Sequence, residues 1–457
     1  MYARVPAARA RELHRRAGLG IERRVALPEL SGERSAELAH HWERAGETAK
    51  AVHYLGLAGE RALRSGAHND AHRTLSRALS EDAAIGRPGG AFRRARWERM
   101  LAVASFGIGD LEGSIRHSAG ALRGLGEPVP RSAVGWTGLA LFELGRMLWP
   151  VRAAPSSPAQ RERRFEVAQA CGQLATTHFY NADGLPTVAS LLRGLNRARR
   201  TGDEATIVES MARLAYVSGT LGLRGVARSL FRRAHERAVS VGDPRGNALA
   251  LYLDGMYQEV LGEWERCREL AEKAHETLRA IGDHPEAETA LAIASHGYFF
   301  AGHLERAREC GATILQAAEA RGHHHHVAWG LYLVGRCDAA RGEFDAAIAR
   351  LEPARHILAP LPDAIDIVIC EGWLARALLG AGRLDEAVTV ARALGRRIAG
   401  GKRPAVAQGV DGYAGWADVA LDHWKRMPGA PGVGGEATGV AASQLALVTG
   451  WRAKRTS

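Results

Sequence analysis

At 457 residues the chain is longer than a single hydrophobic core organises, so it is either multi-domain or an array of repeats. Apolar residues make up 46% and charged residues 24%, which excludes a disordered chain, and the absence of any window of 18 or more apolar residues argues against a membrane span. The formal net charge is +11, from 61 Lys plus Arg of which five are Lys; such arginine bias beside abundant Ala and Gly follows genomic base composition, so it is a poor sign of nucleic-acid binding, although it attracts anionic partners at low salt.

The N-terminus, "MYARVPAARARELHRRAG", places arginines where a signal peptide needs an apolar stretch. The five cysteines, Cys171, Cys267, Cys310, Cys337 and Cys370, form no CxxC pair, the pattern of reduced thiols acting as small core residues in a cytoplasmic protein. Residues 2–80 carry Leu13-His14-Arg15-Arg16, then Glu37-Leu38-Ala39-His40-His41 with Ala45-Gly46. Ala51-Val52, Tyr54, Ala58, Arg61-Ala62-Leu63, Ala71 and Ala78-Leu79 continue the series. This stretch resembles the junction in large bacterial signalling proteins that join a nucleotide-cyclase or Ser/Thr-kinase domain to an AAA/STAND-type ATPase and then to helical repeats. The resemblance implies the regulatory arm alone, with the catalytic parts upstream of residue 1. No GxxxxGK[ST] phosphate loop and no kinase or cyclase signature occurs, and "GGKRP" at Gly400 lacks both the spacing and the Ser/Thr.

Gly46, Gly66 and Gly86 fall 20 residues apart as alternating turns, and "GIGDLEGSI" from Gly107 is another, so residues 1–150 read as irregular helical repeats. "VRAAPSSPAQ", residues 151–160, is the best internal linker, and residues 161–400 form the regular part. There the glycines Gly222, Gly262, Gly302, Gly342 and Gly382 recur every 40 residues. Five residues after each stands Ala227, Cys267, Ala307, Ala347 or Ala387, and twelve after stands Ala234, Ala274, Ile314, Ala354 or Leu394. Seven before each is a small residue: Ala215, Gly255, Ser295, Gly335 or Ala375. Two after comes an apolar residue, Trp264, Leu304, Phe344 or Leu384, with Arg224 as the exception. Small residues at these offsets let two helices approach, a glycine ends the first of them, and the apolar residues between recur at helical spacing. Each unit is therefore a helix–turn–helix hairpin.

The layout resembles the tetratricopeptide repeat, lengthened from the usual 34 residues to 40. The expected fold is all-α, a tetratricopeptide-like α-solenoid, with a protein or peptide bound in the concave groove. A second glycine series, Gly202, Gly242, Gly282 and Gly322, marks turns between hairpins, and Asp203, Asp243 and Asp283 follow as N-caps, with Pro244 and Pro285 at helix starts. One further turn extrapolates to the neighbourhood of Asp183. "YAGWADVALDHWKRM" predicts a terminal helix within residues 401–427, before a Gly/Ala/Pro-rich tail, residues 428–457.

No residue grouping supplies a nucleophile, a base and an orienting group, so no enzyme, cofactor or metal site is expected. His68 and His72 give two helical ligands where three or four are needed, and His40-His41 read as packing and hydrogen-bonding residues. In "HHHH", His323 takes the cap position of Asp243 and Asp283 while His324, His325 and His326 begin the next helix and diverge. The arginine groups Arg93/Arg94/Arg96, Arg161/Arg163/Arg164, Arg197/Arg199/Arg200 and Arg232/Arg233 read as solvated helix faces. No basic column recurs once per repeat, which disfavours the alternative of a nucleic-acid-binding or transcription-regulatory solenoid, while a small-molecule ligand stays open.

Overall fold

The computed structural model describes residues 6–24, 34–86, 90–148, 157–181, 183–359, 364–400 and 409–426. These hold twenty α-helices and no strand, so the fold is all-α and tetratricopeptide-like. By contacts the chain forms two compact units, residues 1–178 with 185–201, and residues 179–184 with 202–457.

The first unit contains α1 (Ala7–Arg24), α2 (Ser35–Ala45), α3 (Thr48–Arg64), α4 (His68–Ala84), α5 (Gly90–Ile108), α6 (Leu111–Gly124) and α7 (Ala133–Leu148). It also contains α8 (Pro158–Tyr180) and α9 (Gly184–Ala198), less the residues at their junction that group with the second unit. Gly46, Gly66 and Gly86 all adopt positive φ, the left-handed conformation that stops a helix and that side chains with a Cβ resist. At the "GIGDLEG" turn, Gly109 does the same and Asp110 caps α6 by accepting from the Gly113 amide at 2.7 Å. Trp42 is the largest fully buried side chain here, packed on Gly18 of α1. Most of the expected linker, residues 151–156, lies outside the described residues, while Pro158–Gln160 form the first turn of α8. The extrapolated turn near Asp183 coincides with the break between α8 and α9.

The second unit contains α10 (Glu204–Thr220), α11 (Arg224–Val241), α12 (Pro244–Leu261), α13 (Trp264–Ala280), α14 (His284–Phe300), α15 (Leu304–Arg321), α16 (His324–Ala340), α17 (Phe344–Leu358), α18 (Ala364–Gly380), α19 (Leu384–Gly400) and α20 (Val410–Arg426). Each helix packs on the next, and the even-numbered ones from α10 to α20 also pack on one another, making an inner layer against an outer one. Composition follows position. Outer helices bury one stripe, such as Cys267, Leu270, Ala271, Ala274 and Leu278 of α13, whereas inner helices are enclosed on every side, as α16 is from Tyr332 to Ala339. One continuous apolar core runs from Cys267 to Val419.

Of the three expected aspartate caps, Asp243 accepts from the Gly246 amide at 3.0 Å. Asp203 and Asp283 hold the same position but direct their carboxylates to the Thr206 hydroxyl and to Arg245, because a charged or hydroxyl donor competes with the backbone amide. The terminal helix is α20; the tail from residue 428 lies outside the described residues.

Candidate functional site

The residues that define the repeat sit in turns and interior seams. Gly222, Gly262, Gly302, Gly342 and Gly382 have φ between 74° and 88°, and Ala227, Cys267, Ala307, Ala347 and Ala387 are fully buried. Small side chains here set the distance between helices and present nothing to a ligand. Buried Cys171 and Cys370 have thiol pKa values pushed up by desolvation, Cys171 to about 12, which keeps them protonated and unreactive.

In the inner layer of the second unit, polar side chains of neighbouring helices pair with one another. Tyr252 of α12 donates to Glu286 of α14 at 3.0 Å, and His296 of α14 meets Glu259 of α12 at 2.9 Å. His326 of α16 meets Glu288 of α14 at 2.7 Å, and Trp329 of α16 donates to Asp366 of α18. Trp373 of α18 donates to Asp411 of α20 at 3.2 Å, and Arg376 pairs with Asp418 at 2.6 Å. Contacts also skip a hairpin: the rings of Phe299 in α14 and Trp373 in α18 lie 5.4 Å apart, with the buried Arg336 of α16 against Phe299 at 4.5 Å. Burial raises the Asp411 and Glu286 carboxyls above the usual range, while His326 and Arg321 overcome burial at Glu288 and lower it.

The histidines disperse. His323 caps α16, its Nδ1 accepting from the His326 amide at 3.3 Å, whereas His326 stacks on Trp329 and His325 approaches Asp366 at 3.5 Å. His68 packs on Gly107, and the His72 ring faces His117 from another helix. His41 hydrogen-bonds His14 at 3.0 Å, joining α2 to α1. Among the described residues no cluster of three or more His, Cys, Asp or Glu has metal-binding geometry.

Several of the arginines read as solvated helix faces, while still partly accessible, also tie one element to another. Arg93 pairs with the buried Asp82 at 2.6 Å, Arg96 with Glu60 at 3.1 Å and Arg197 with Glu127 at 2.8 Å. Arg163, Arg164 and Arg199 donate to the backbone carbonyls of Leu125, Arg200 and Met147. Their spacing along a helix hid this, because the partners lie 11 to 70 residues away in the chain.

An exposed apolar surface lies on α7, "AVGWTGLALFELGRML". It is inverted. Glu143 is 1% exposed and points inward, accepting from the Asn196 side chain at 2.9 Å beside Arg193 and Arg197, both at 3.8 Å. Trp136 is buried on that side against His178. The opposite side carries Val134 at 82% exposure, Leu141 at 65% and Phe142 at 58%, with Gly138 and Gly145 leaving open slots between them. Positions 134, 138, 141, 142 and 145 recur at helical spacing, so they form one apolar row facing solvent. Sequence reading missed this row. The apolar run was visible, but nothing in it told which side the buried glutamate would claim.

No protein-family model and no curated protein matches the sequence. Solved structures similar in fold include a signal-transduction ATPase with numerous domains and a tetratricopeptide-repeat sensor from Pyrococcus horikoshii. It is 14% identical over 82% of this chain and 52% of its own, with a TM-score of 0.46, so the chain spans about half that protein's length. A Rap protein complexed with competence and sporulation factor is 10% identical over 86% of this chain and 99% of its own, TM-score 0.46. Aspartyl phosphate phosphatase F from Bacillus subtilis is 12% identical over 83% and 95%, TM-score 0.45. Each is a likeness of helical architecture and of nothing finer.

Proposed function

We propose that the chain is a non-catalytic protein-interaction scaffold, and that an apolar segment of a partner protein docks on the outward row of α7. The observation that carries this reading is the inversion of α7: a helix spends its one carboxylate in the interior and leaves Val134, Leu141 and Phe142 in water. Burying a Leu or Phe side chain is worth roughly 1.5–3 kcal/mol, so a folded chain leaves such a row uncovered at a cost that a partner removes. The open slots at Gly138 and Gly145 suit a helix that approaches closely. The resemblance of residues 2–80 supports placing this scaffold in the sensor arm of a cyclase- or kinase-linked bacterial signalling ATPase, acting in the cytoplasm.

The nucleic-acid reading loses support because Arg93, Arg96, Arg163, Arg164, Arg197 and Arg199 are already engaged with carboxylates or carbonyls of the chain itself, contacts that a phosphate would have to displace. The test is a photo-crosslinking amino acid at position 142 in the producing cell, followed by purification of the captured protein and a direct affinity measurement. Leu141→Asp with Phe142→Asp is expected to weaken that affinity at least about tenfold with an unchanged melting temperature. An unchanged affinity contradicts the reading, as does capture of a second copy of the chain itself.

A further inference from the structure

In the second unit every inner helix before the last is followed by the outer helix of its own hairpin, from α11 after α10 to α19 after α18, and packs against it. The α20 helix takes an inner position, crossing α18 at Gly412 and Gly415, and no described helix follows it. The face that such a hairpin partner covers is fixed by one column of the repeat. Ser295 of α14 donates to the Ala307 carbonyl of α15 at 2.9 Å, and a Cβ on Gly335 of α16 would lie 2.8 Å from Leu351 of α17. Ala375 of α18 comes next in this column and is fully buried, as is Leu378 one turn further on.

Both α18 and α20 are 17 residues long, and aligned end to end they place Leu421 at the position of Ala375 and Trp424 at that of Leu378. The contacts agree with this register. Asp366 and Gly412 then coincide, and each faces the preceding inner helix, Asp366 through Trp329 of α16 and Gly412 through Val368 of α18. What is buried on α18 is open on α20, where Leu421 is 55% and Trp424 64% exposed. Repeat arrays need a polar outer face on their end units, whereas α20, the last described helix, presents a leucine and a tryptophan.

We infer that residues 437–454 of the same chain dock on this face of α20 and complete the last hairpin. In that segment, "ATGVAASQLALVTGWRAK", Val440, Leu447, Val448 and Trp451 recur at the helical offsets i, i+7, i+8 and i+11, while Ala442, Ala446, Thr449 and Ala453 fall on the other side. The segment is as long as the outer helix α11, which has 18 residues. It follows α20 directly in the chain. The ten residues between them, 427–436, hold two prolines and four glycines and can span roughly 33 Å, more than a hairpin turn requires. A second copy suits the face less well, because two side chains fall far short of the ~1,200 Å² that a specific association buries. This contact uses the end of the second unit alone and does not depend on the role proposed for α7.

The test is hydrogen–deuterium exchange of the full chain at two protein concentrations. In wild type, residues 437–454 are expected to exchange at least about tenfold more slowly than an unstructured peptide of that sequence, equally at both concentrations. Leu421→Asp with Trp424→Asp, and separately Leu447→Asp with Trp451→Asp, are each expected to abolish this protection and to leave the exchange of α16 to α18 as in wild type. The first pair replaces exposed side chains and the second lies outside the described helices, so neither opens the core. Unprotected residues 437–454 in wild type, or protection that survives either pair of substitutions, would overturn the inference. Protection lost on dilution would overturn it too, by giving the face to a second copy of the chain.

Discussion

His326 shows how one residue carries several duties in the inner layer. It follows the cap residue His323, stacks on Trp329 with ring centres 4.5 Å apart, and meets Glu288 at 2.7 Å. Burial lowers its pKa below 6.5, and the Glu288 hydrogen bond, which pushes the other way, does not restore it. The unfolded chain therefore takes up this proton first: the contribution of neutral His326 is complete above about pH 6.5 and is lost as pH falls from there toward the folded value. Glu286 and Asp411, raised by burial, act with the opposite sign, so the His326 effect is read as a difference between variants. His326→Gln, which can still donate to Glu288, is expected to lose less stability than wild type between pH 7 and 5.5, by up to about 1.4 kcal/mol per pH unit, in urea titrations. Equal slopes in the two proteins contradict this account. The cap position of His323 was legible from its register with Asp243 and Asp283, because capping is local. The bond to Glu288, 38 residues away, was not, because it depends on which helix faces pair.

At the scale of the element, the crossing of α18 and α20 rests on glycine. A Cβ on Gly412 would lie 2.3 Å from the Val368 carbonyl oxygen, and one on Gly415 would lie 2.1 Å from that of Gly372. The neighbours are backbone atoms, which cannot rotate aside, so Gly412→Ala must push the helices apart. It is expected to cost about 1–3 kcal/mol in chemical unfolding, and a cost near zero would show that α20 is not seated as described. The terminal helix was legible as "YAGWADVALDHWKRM", but its close approach was not, since glycine in a helix also occurs without a contact, as at Gly138 of α7. The same limit applies to α7 as a whole. Helical periodicity finds the stripe of Val134, Leu141 and Phe142, yet the natural assignment buries it. Only the pairing of Glu143 with Asn196, Arg193 and Arg197 turns the helix over.

Across the whole molecule, the two glycine series made the hairpins and their order readable, because positive φ ties glycine to fixed points and a constant repeat length spaces those points evenly. Features that differ between repeats were harder to read: Arg224 and Tyr257 break their columns, and α7 lies in the irregular part. An array of this kind uses its regular residues for stacking and its exceptions for recognition. The central claim, that the row on α7 is where a partner binds, is tested most directly by hydrogen–deuterium exchange of the chain with and without the protein captured at position 142. Slowed exchange concentrated in residues 133–148, and lost with Leu141→Asp and Phe142→Asp, is the predicted result. Slowed exchange elsewhere with α7 unchanged would contradict it.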